Sequence, residues 1–149
     1  MKLEESIKQK EFNNEFEKAE INILYTANWM NLSLHQLIKS YNISLQQFNI
    51  LRILRGQKGK PAALKLLTER MLDKMSNTSR LVDKMLTKEL LERSICPNNR
   101  RQVEITLTSK GLKVCNEISD LIEKHRMESL KITIEEAREI NRILDKMRS

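Results

Sequence analysis

Apolar residues recur at helical spacing over most of the chain and alternate with polar residues in only one segment. The longest helical pattern predicts a first helix over about residues 8–40, with one apolar face. That face comprises Phe16, Ile23, Ala27, Met30, Leu34 and Leu37. A helix of this length in a small domain cannot bury its whole apolar face within its own subunit, so part of it is expected to contact a partner.

Two shorter helices are predicted next. Ser44 and Gln47 have the spacing of a capping box and should open the first of them. Its core face comprises Phe48, Leu51, Ile53 and Leu54. The pattern then predicts a loop over residues 56–61, a short helix over residues 63–72 and a turn over residues 73–75.

Residues 76–88 predict an amphipathic helix opened by small polar residues. Ser76 is expected to be its N-cap, because a serine hydroxyl can accept a hydrogen bond from an amide of the first turn. Leu81, Val82, Met85 and Leu86 recur at helical spacing and can face a core. The other side carries Asn77, Ser79, Arg80, Lys84 and Lys88, which can contact phosphates and base edges.

A short hairpin follows this helix, and two adjacent arginines are expected in its loop. Residues 96–99 have the composition of a turn, and Arg100 and Arg101 follow directly. Val103, Ile105 and Leu107 alternate with polar residues, as in a half-buried strand. The strands of this hairpin are the only ones that the sequence predicts.

Two helices are predicted after the hairpin. Thr108 or Ser109 should cap the first, and Thr133 should cap the last, with Glu135 and Glu136 in its first turn. Their apolar positions are Leu112, Cys115, Ile118 and Ile122 in the first, and Ile140, Ile143, Leu144 and Met147 in the last. Together with the N-terminal helix they have more apolar surface than one small domain can cover, which favours dimerisation.

Composition adds independent limits. The 149 residues suit a single domain, and three glycines, two prolines and 4% aromatic residues favour a mainly helical fold with a small β-hairpin. The formal net charge of +7 favours an anionic partner. Residues 70–113 contain ten basic and five acidic side chains, so the positive charge is concentrated around the predicted amphipathic helix and hairpin.

Several other classes of protein find little support. No apolar run approaches the roughly 20 residues that span a bilayer, and the N-terminal segment is too charged for a signal peptide, so a cytoplasmic location is expected. Two cysteines are too few for a disulfide framework. His35 and His125 lack partners at metal-ligand spacing, and there is no glycine-rich phosphate loop, so neither a metal, a cofactor nor an enzymatic activity is expected.

Three segments in this order carry a resemblance to a known family. They are SNTSRLVDKM in the amphipathic helix, LLERSICPNNRR at its exit and in the hairpin, and VEITLTSKG in the returning strand and the next helix start. Residues 43–111 resemble the winged helix-turn-helix of the MarR family of bacterial transcription regulators, and the flanking helices fit the family as well. The fold that this implies is mainly α with a β-hairpin wing. The resemblance also implies one MarR-like domain over residues 1–149. This domain comprises an N-terminal dimerisation helix (1–42), the winged helix-turn-helix (43–110) and C-terminal dimerisation helices (111–149).

The resemblance implies a homodimer that binds a pseudo-palindromic double-stranded DNA operator, usually as a repressor relieved by a small molecule or by oxidation. Its expected DNA-binding residues are Ser76, Asn77, Thr78, Ser79, Arg80, Lys84, Lys88, Arg100 and Arg101. Arg101 matches the wing-tip arginine of the family, and a narrow minor groove attracts such arginines. The lysines are expected to contact phosphates, which adds affinity without sequence choice.

Other positions gain a role only through the resemblance. Tyr25, Asn28, Trp29, His35 and Phe48 lie on helices that line an effector pocket in the family, although aromatic residues at helical spacing also suit a core. Cys96 could be a redox switch, but oxidant-sensing members generally carry their cysteine near the N-terminus, where this chain has none. Cys115, on an apolar helical face, is expected to be a small buried residue.

The chain departs from the family pattern at two positions near the wing. Asn99 stands where the family usually has an aspartate that braces an arginine, which predicts a looser wing. Glu89 stands where a glycine is common after the recognition helix, so a different helix exit is expected. Asp83 and Arg93 are expected to pair and hold the wing to the helix. An architectural DNA-binding or protein-interaction module without sequence preference is the alternative function.

Overall fold

A computed structural model describes residues 1–149 and contains seven α-helices and one small sheet. The helices are α1 (Leu3–Ile7), α2 (Glu15–Ile38), α3 (Leu45–Gly56), α4 (Leu64–Arg70), α5 (Thr78–Thr87), α6 (Ser109–Ser129) and α7 (Ile134–Met147). The strands are β1 (Ala62–Ala63), β2 (Leu91–Cys96) and β3 (Asn99–Leu107), and a 3₁₀ turn (Lys39–Tyr41) follows α2. The chain divides into two compact units, Met1–Cys115 and Asn116–Ser149.

The N-terminal helix is shorter than the sequence predicts, and residues 8–14 do not belong to it. Lys8 has a left-handed backbone (φ 56°) that ends α1, and α2 begins only after Asn14. The Asn14 side chain caps α2 by accepting hydrogen bonds from the amides of Phe16 and Glu17. An ion pair of 2.6 Å between Lys18 Nζ and a Glu4 carboxylate oxygen connects the two helices, and it lowers the pKa of Glu4.

The apolar face of α2 is largely uncovered within this chain. Ile38 is the only buried residue of the helix, whereas Phe16 is 88% exposed and Trp29 is 46% exposed. Leaving so much aromatic surface in water is costly, since apolar burial stabilises by about 25 cal/mol per Å².

Helix α3 forms as predicted and supplies much of the core of the first unit. Ser44 and Gln47 form the capping box, which confirms the expected helix start. Phe48, Leu51 and Leu54 are buried, as is Ile50, while Ile53 is only half-buried. The other fully buried side chains of this unit include Leu67, Val82, Met85 and Ile105, so α3, α4, α5 and β3 share one core.

The sheet contains a strand that the sequence does not predict. β1 pairs antiparallel with β3 through Ala62 opposite Ile105 and Ala63 opposite Glu104, which gives the order β1-β3-β2. Two alanines carry no alternating pattern, so only tertiary pairing defines this strand. Because β1 takes up these residues, α4 begins at Leu64 and ends at Arg70, within the predicted range of residues 63–72.

The two C-terminal helices begin where predicted. The Thr108 hydroxyl accepts a hydrogen bond from the Gly111 amide at 2.9 Å and caps α6. Thr133 forms a capping box with Glu136 at the start of α7. Helix α7 has no buried residue, and Ile140, Ile143 and Met147 are all more than 40% exposed. None of the helices combines the length and the apolar character needed to cross a bilayer.

Candidate nucleic-acid interface

The amphipathic helix α5 begins one residue later than predicted. Asn77 is its N-cap, because the Asn77 Oδ1 accepts a hydrogen bond from the Arg80 amide at 3.1 Å. Ser76 instead closes the preceding turn, where its amide donates to the Asp73 carbonyl at 3.2 Å. Its hydroxyl oxygen is buried without a hydrogen-bond partner. The predicted role of Ser76 as N-cap is therefore wrong, whereas its contact with DNA stays a prediction.

Thr78 also lies on the inner side of α5. Thr78 is only 5% exposed, and its hydroxyl oxygen is buried without a hydrogen-bond partner. This burial argues against the predicted contact between its side chain and DNA. Asn77, Ser79, Arg80 and Lys84 are exposed. Arg80 and Lys84 are four residues apart and share a face of the helix, on the side opposite the buried Val82 and Met85.

An open groove of about 530 Å³ runs between the start of α5 and the start of α3. From α5 and its cap it is lined by Asn77, Arg80, Leu81 and Lys84, and from the start of α3 by Ser44, Gln46 and Gln47. The sequence singles out Ser44 and Gln47 only as a capping box. Their place beside the recognition helix depends on tertiary packing and leaves no separate signal in the sequence.

The side chain of Lys88 contacts another part of the chain. Its ammonium donates a hydrogen bond to the carbonyl of Asn42, at the end of the 3₁₀ turn, and the residue is half-buried. A phosphate contact of Lys88 would therefore compete with this contact, whose acceptor lies 46 residues away in sequence.

The exit from α5 does not require the different geometry that the sequence suggests. Glu89 adopts the left-handed conformation (φ 58°) that glycine favours after a helix. The Glu89 amide donates to the Leu86 carbonyl at 3.0 Å, and the Leu90 amide donates to the Met85 carbonyl at 3.0 Å. These two bonds form a Schellman motif, so Glu89 makes the ordinary exit at the cost of a strained backbone.

The wing consists of β2 and β3 joined by Pro97 and Asn98. Contrary to prediction, Arg100 and Arg101 lie within β3 and not in the loop. Ile95 pairs with Val103 whereas Cys96 pairs with Asn99, so both arginines lie in an irregular bulge of β3. Both side chains are exposed, and the bulge presents them near the tip of the hairpin.

Asn99 has a definite contact in the wing. Its Oδ1 accepts a hydrogen bond from the backbone amide of Arg101 at 3.1 Å. The neutral amide thus fixes the backbone of the arginine, although not its guanidinium.

Asp83 and Arg93 connect the helix to the wing. Arg93 Nη2 donates to Asp83 Oδ1 at 2.7 Å, which joins α5 to β2. Both side chains are about half exposed, and such surface ion pairs contribute about 0.2–1 kcal/mol. The pair therefore orients the wing more than it stabilises the fold.

The residues expected around an effector pocket differ in their exposure in the single chain. Phe48 belongs to the buried core, with the Arg52 guanidinium 6.0 Å from its ring centre. Tyr25, Asn28, Trp29 and His35 are exposed on α2. Cys96 is half-buried and Cys115 is buried, and neither forms a disulfide. No cluster of three His, Cys, Asp or Glu side chains is arranged to hold a metal ion.

The fold is a winged helix-turn-helix, because its elements follow the order α3, α4, α5, β2, β3. The short strand β1 completes the sheet of the wing. The family model of the MarR family matches residues 43–103. This range covers α3 to the middle of β3 and contains the first two of the three sequence motifs. The resemblance to the MarR family is therefore confirmed.

Solved structures extend the likeness to most of the chain. A MarR-like transcription regulator from Bacillus cereus ATCC 10987 superposes with a TM-score of 0.76 at 23% identity, over 88% of this chain and 94% of that chain. A mutant of MarR from E. coli, complexed with operator DNA, gives a TM-score of 0.76 at 20% identity, over 93% of this chain and 99% of that chain. Bordetella bronchiseptica BpsR, whose DNA binding is regulated by 6-hydroxynicotinic acid, gives 0.73 at 22% identity, over 86% and 91%. These similarities confirm the mainly helical fold with its wing.

Proposed function

We propose that this protein is a sequence-specific regulator of transcription that binds double-stranded DNA as a homodimer. The observation that carries the proposal is the exposed basic surface of the winged helix, with Arg80 and Lys84 on α5 and Arg100 and Arg101 on the wing. A helix and a hairpin tip can enter adjacent grooves of one duplex. The complex of E. coli MarR with operator DNA, which has the same fold, supports this reading.

Within this surface we assign different tasks to different side chains. Asn77, Ser79 and Arg80 lie at the exposed start of α5, the part of a recognition helix that contacts base edges. Lys84 lies one turn further along and is assigned to phosphates. Arg100 and Arg101 are assigned to the minor groove beside the wing, where narrow grooves attract guanidinium groups.

The homodimer is proposed from the uncovered apolar surfaces of the terminal helices. In α2, aromatic and aliphatic side chains remain exposed along most of the helix, and in α7 one face holds Ile140, Ile143 and Met147. A second copy of the chain can cover these surfaces by twofold symmetry. Such symmetry would place two recognition helices about 34–36 Å apart, which is one turn of DNA.

We further propose that the protein is a repressor whose DNA binding is released by a small organic ligand. Tyr25, Asn28, Trp29 and His35 are exposed on α2 in one chain, where a second copy of the chain could close a cavity over them. The regulation of B. bronchiseptica BpsR by 6-hydroxynicotinic acid shows that this fold can respond to such a molecule.

A sequence-tolerant architectural protein with the same fold is the alternative, and competition separates the two functions. Binding of the purified protein to the DNA upstream of its own gene would be measured by fluorescence anisotropy with excess random DNA. We expect the upstream DNA to stay bound, because specific sites are typically bound about 10³–10⁷ times more tightly than random DNA. Equal displacement by random DNA would favour the architectural function.

A further inference from the structure

Three separate elements meet at the C-terminal end of the recognition helix α5. We call the contact residues the clasp, which consists of Asn42 at the end of the 3₁₀ turn, Lys88 and Glu89 after α5, and Thr108 and Lys110 at the start of α6. All five lie in the first compact unit of the chain. The clasp joins the end of the long N-terminal helix to the element that we propose reads DNA.

Two bonds attach α6 to the end of α5. The Lys110 ammonium donates to the Lys88 carbonyl at 2.9 Å, and the Thr108 hydroxyl donates to the Glu89 carbonyl at 2.7 Å. Carbonyls at a helix end lack partners within the helix, and the helix dipole makes that end negative. An ammonium group is therefore well suited to this position.

Lys88 provides the third connection. Its ammonium donates to the carbonyl of Asn42, whose left-handed backbone (φ 53°) ends the 3₁₀ turn after α2. Lys88 thus contacts α6 through its carbonyl and the end of α2 through its side chain. A charged donor on a half-buried side chain makes a stronger hydrogen bond than a neutral one, so the contact can fix the helix orientation.

We propose that Lys88 is a positioning residue, which holds the recognition helix in its orientation relative to α2 and α6 and does not itself bind phosphate. The proposal rests on the proposed DNA-binding function. It assigns different tasks to Lys84, within α5, and Lys88, directly after it. Lys84 is exposed, whereas the ammonium of Lys88 donates a hydrogen bond to the Asn42 carbonyl.

The salt dependence of DNA binding separates the two tasks. Each phosphate contact contributes about 0.9 to the slope of log K against log salt, so removing one lysine per subunit from a dimer would lower the slope by about 1.8. We expect Lys88→Met to weaken DNA binding several-fold, because fewer molecules hold the binding orientation, while the slope stays at the wild-type value. Lys84→Met is the matched control, in which the slope should fall.

Two results would overturn the proposal: a slope that falls by about 1.8 in Lys88→Met, as for a phosphate contact, or an unchanged affinity. Lys88→Arg keeps a charged donor and should restore most of the affinity. If Lys88→Met fails to fold, Lys110→Met tests the same clasp from α6 and should give the same weaker binding. Its slope should also stay at the wild-type value, and a fall in slope would contradict the clasp.

A readout without DNA keeps this test separate from the proposed function. The amides of Glu89 and Leu90 form the last hydrogen bonds at the exit from α5. Hydrogen exchange at these two amides should become faster in Lys88→Met and in Lys110→Met, but not in Lys84→Met. Unchanged exchange in both clasp variants would overturn the positioning role. Failure of the wild-type protein to bind DNA would instead refute the proposed function.

Discussion

The substitution Gly111→Ala tests how closely helix α6 approaches the exit of the recognition helix. Gly111 is the third residue of α6, and a Cβ atom built on it would lie 2.1 Å from the Leu90 carbonyl oxygen. The same Cβ would be 3.2 Å from Leu107 Cδ2. Because the nearest atom belongs to the backbone, no side-chain rotation can relieve the clash. The Leu90 oxygen also accepts the Thr108 amide at 3.2 Å, so moving it weakens a second contact.

The magnitude follows from two opposing effects. Forcing an extra methyl group into a packed site usually costs about 1–3 kcal/mol. Alanine in a helix regains up to about 1 kcal/mol relative to glycine. We therefore expect Gly111→Ala to lower the free energy of unfolding by about 1–2 kcal/mol, which corresponds to a fall in Tm of roughly 2–8 °C for a chain of this size.

Urea unfolding followed by circular dichroism would measure this loss, at one fixed protein concentration because the proposed dimerisation would contribute to stability. Gly56→Ala is the matched control. Gly56 is the last residue of α3, and a Cβ there would meet no atom within 4 Å. This variant should be as stable as the wild type or more stable, by up to about 1 kcal/mol. If Gly111→Ala is also neutral or stabilising, the described contact between α6 and Leu90 is incorrect.

Three further substitutions test the recognition helix and the wing. Glu89→Gly should raise the free energy of unfolding by about 0.5–1 kcal/mol in urea titrations, because glycine accepts the left-handed backbone at φ 58° without strain, and a loss of stability would contradict this. Arg80→Ala should cost about 1–3 kcal/mol of binding to the operator and relax base preference, whereas equal losses on operator and random DNA would make Arg80 a phosphate contact. Asn99→Asp should order the wing further in amide relaxation measurements, because a carboxylate accepts the Arg101 amide more strongly, and equal order would make the two side chains equivalent.

Local signals predict the helix starts well and fail where two neighbouring residues are equally suitable. The capping boxes at Ser44 and Thr133 depend on residues three positions apart, so the sequence alone identifies them. Ser76 and Asn77 are both strong N-cap residues, and the choice of Asn77 depends on the turn that precedes α5. With Asn77 as the cap, Thr78 is the first residue of α5 and its side chain faces the core.

The remaining differences arise from contacts between distant parts of the chain. β1 exists because two alanines meet β3, and alanine has no strand preference of its own. The break between α1 and α2 lies in a segment without glycine or proline, so composition does not reveal it. Lys88 looks like any surface lysine in sequence, and only its contact with Asn42 distinguishes it from Lys84.

Footprinting on the DNA upstream of the gene tests the central claim most directly, since it reports specificity and twofold symmetry together. Hydroxyl-radical cleavage of that DNA would be compared with and without the protein, in the presence of excess random DNA. We expect two protected half-sites with inverted sequences, whose centres lie about 10–10.5 base pairs apart, or a multiple of this spacing. Protection that is absent, spread evenly along the DNA or confined to one half-site would contradict a dimeric, sequence-specific regulator.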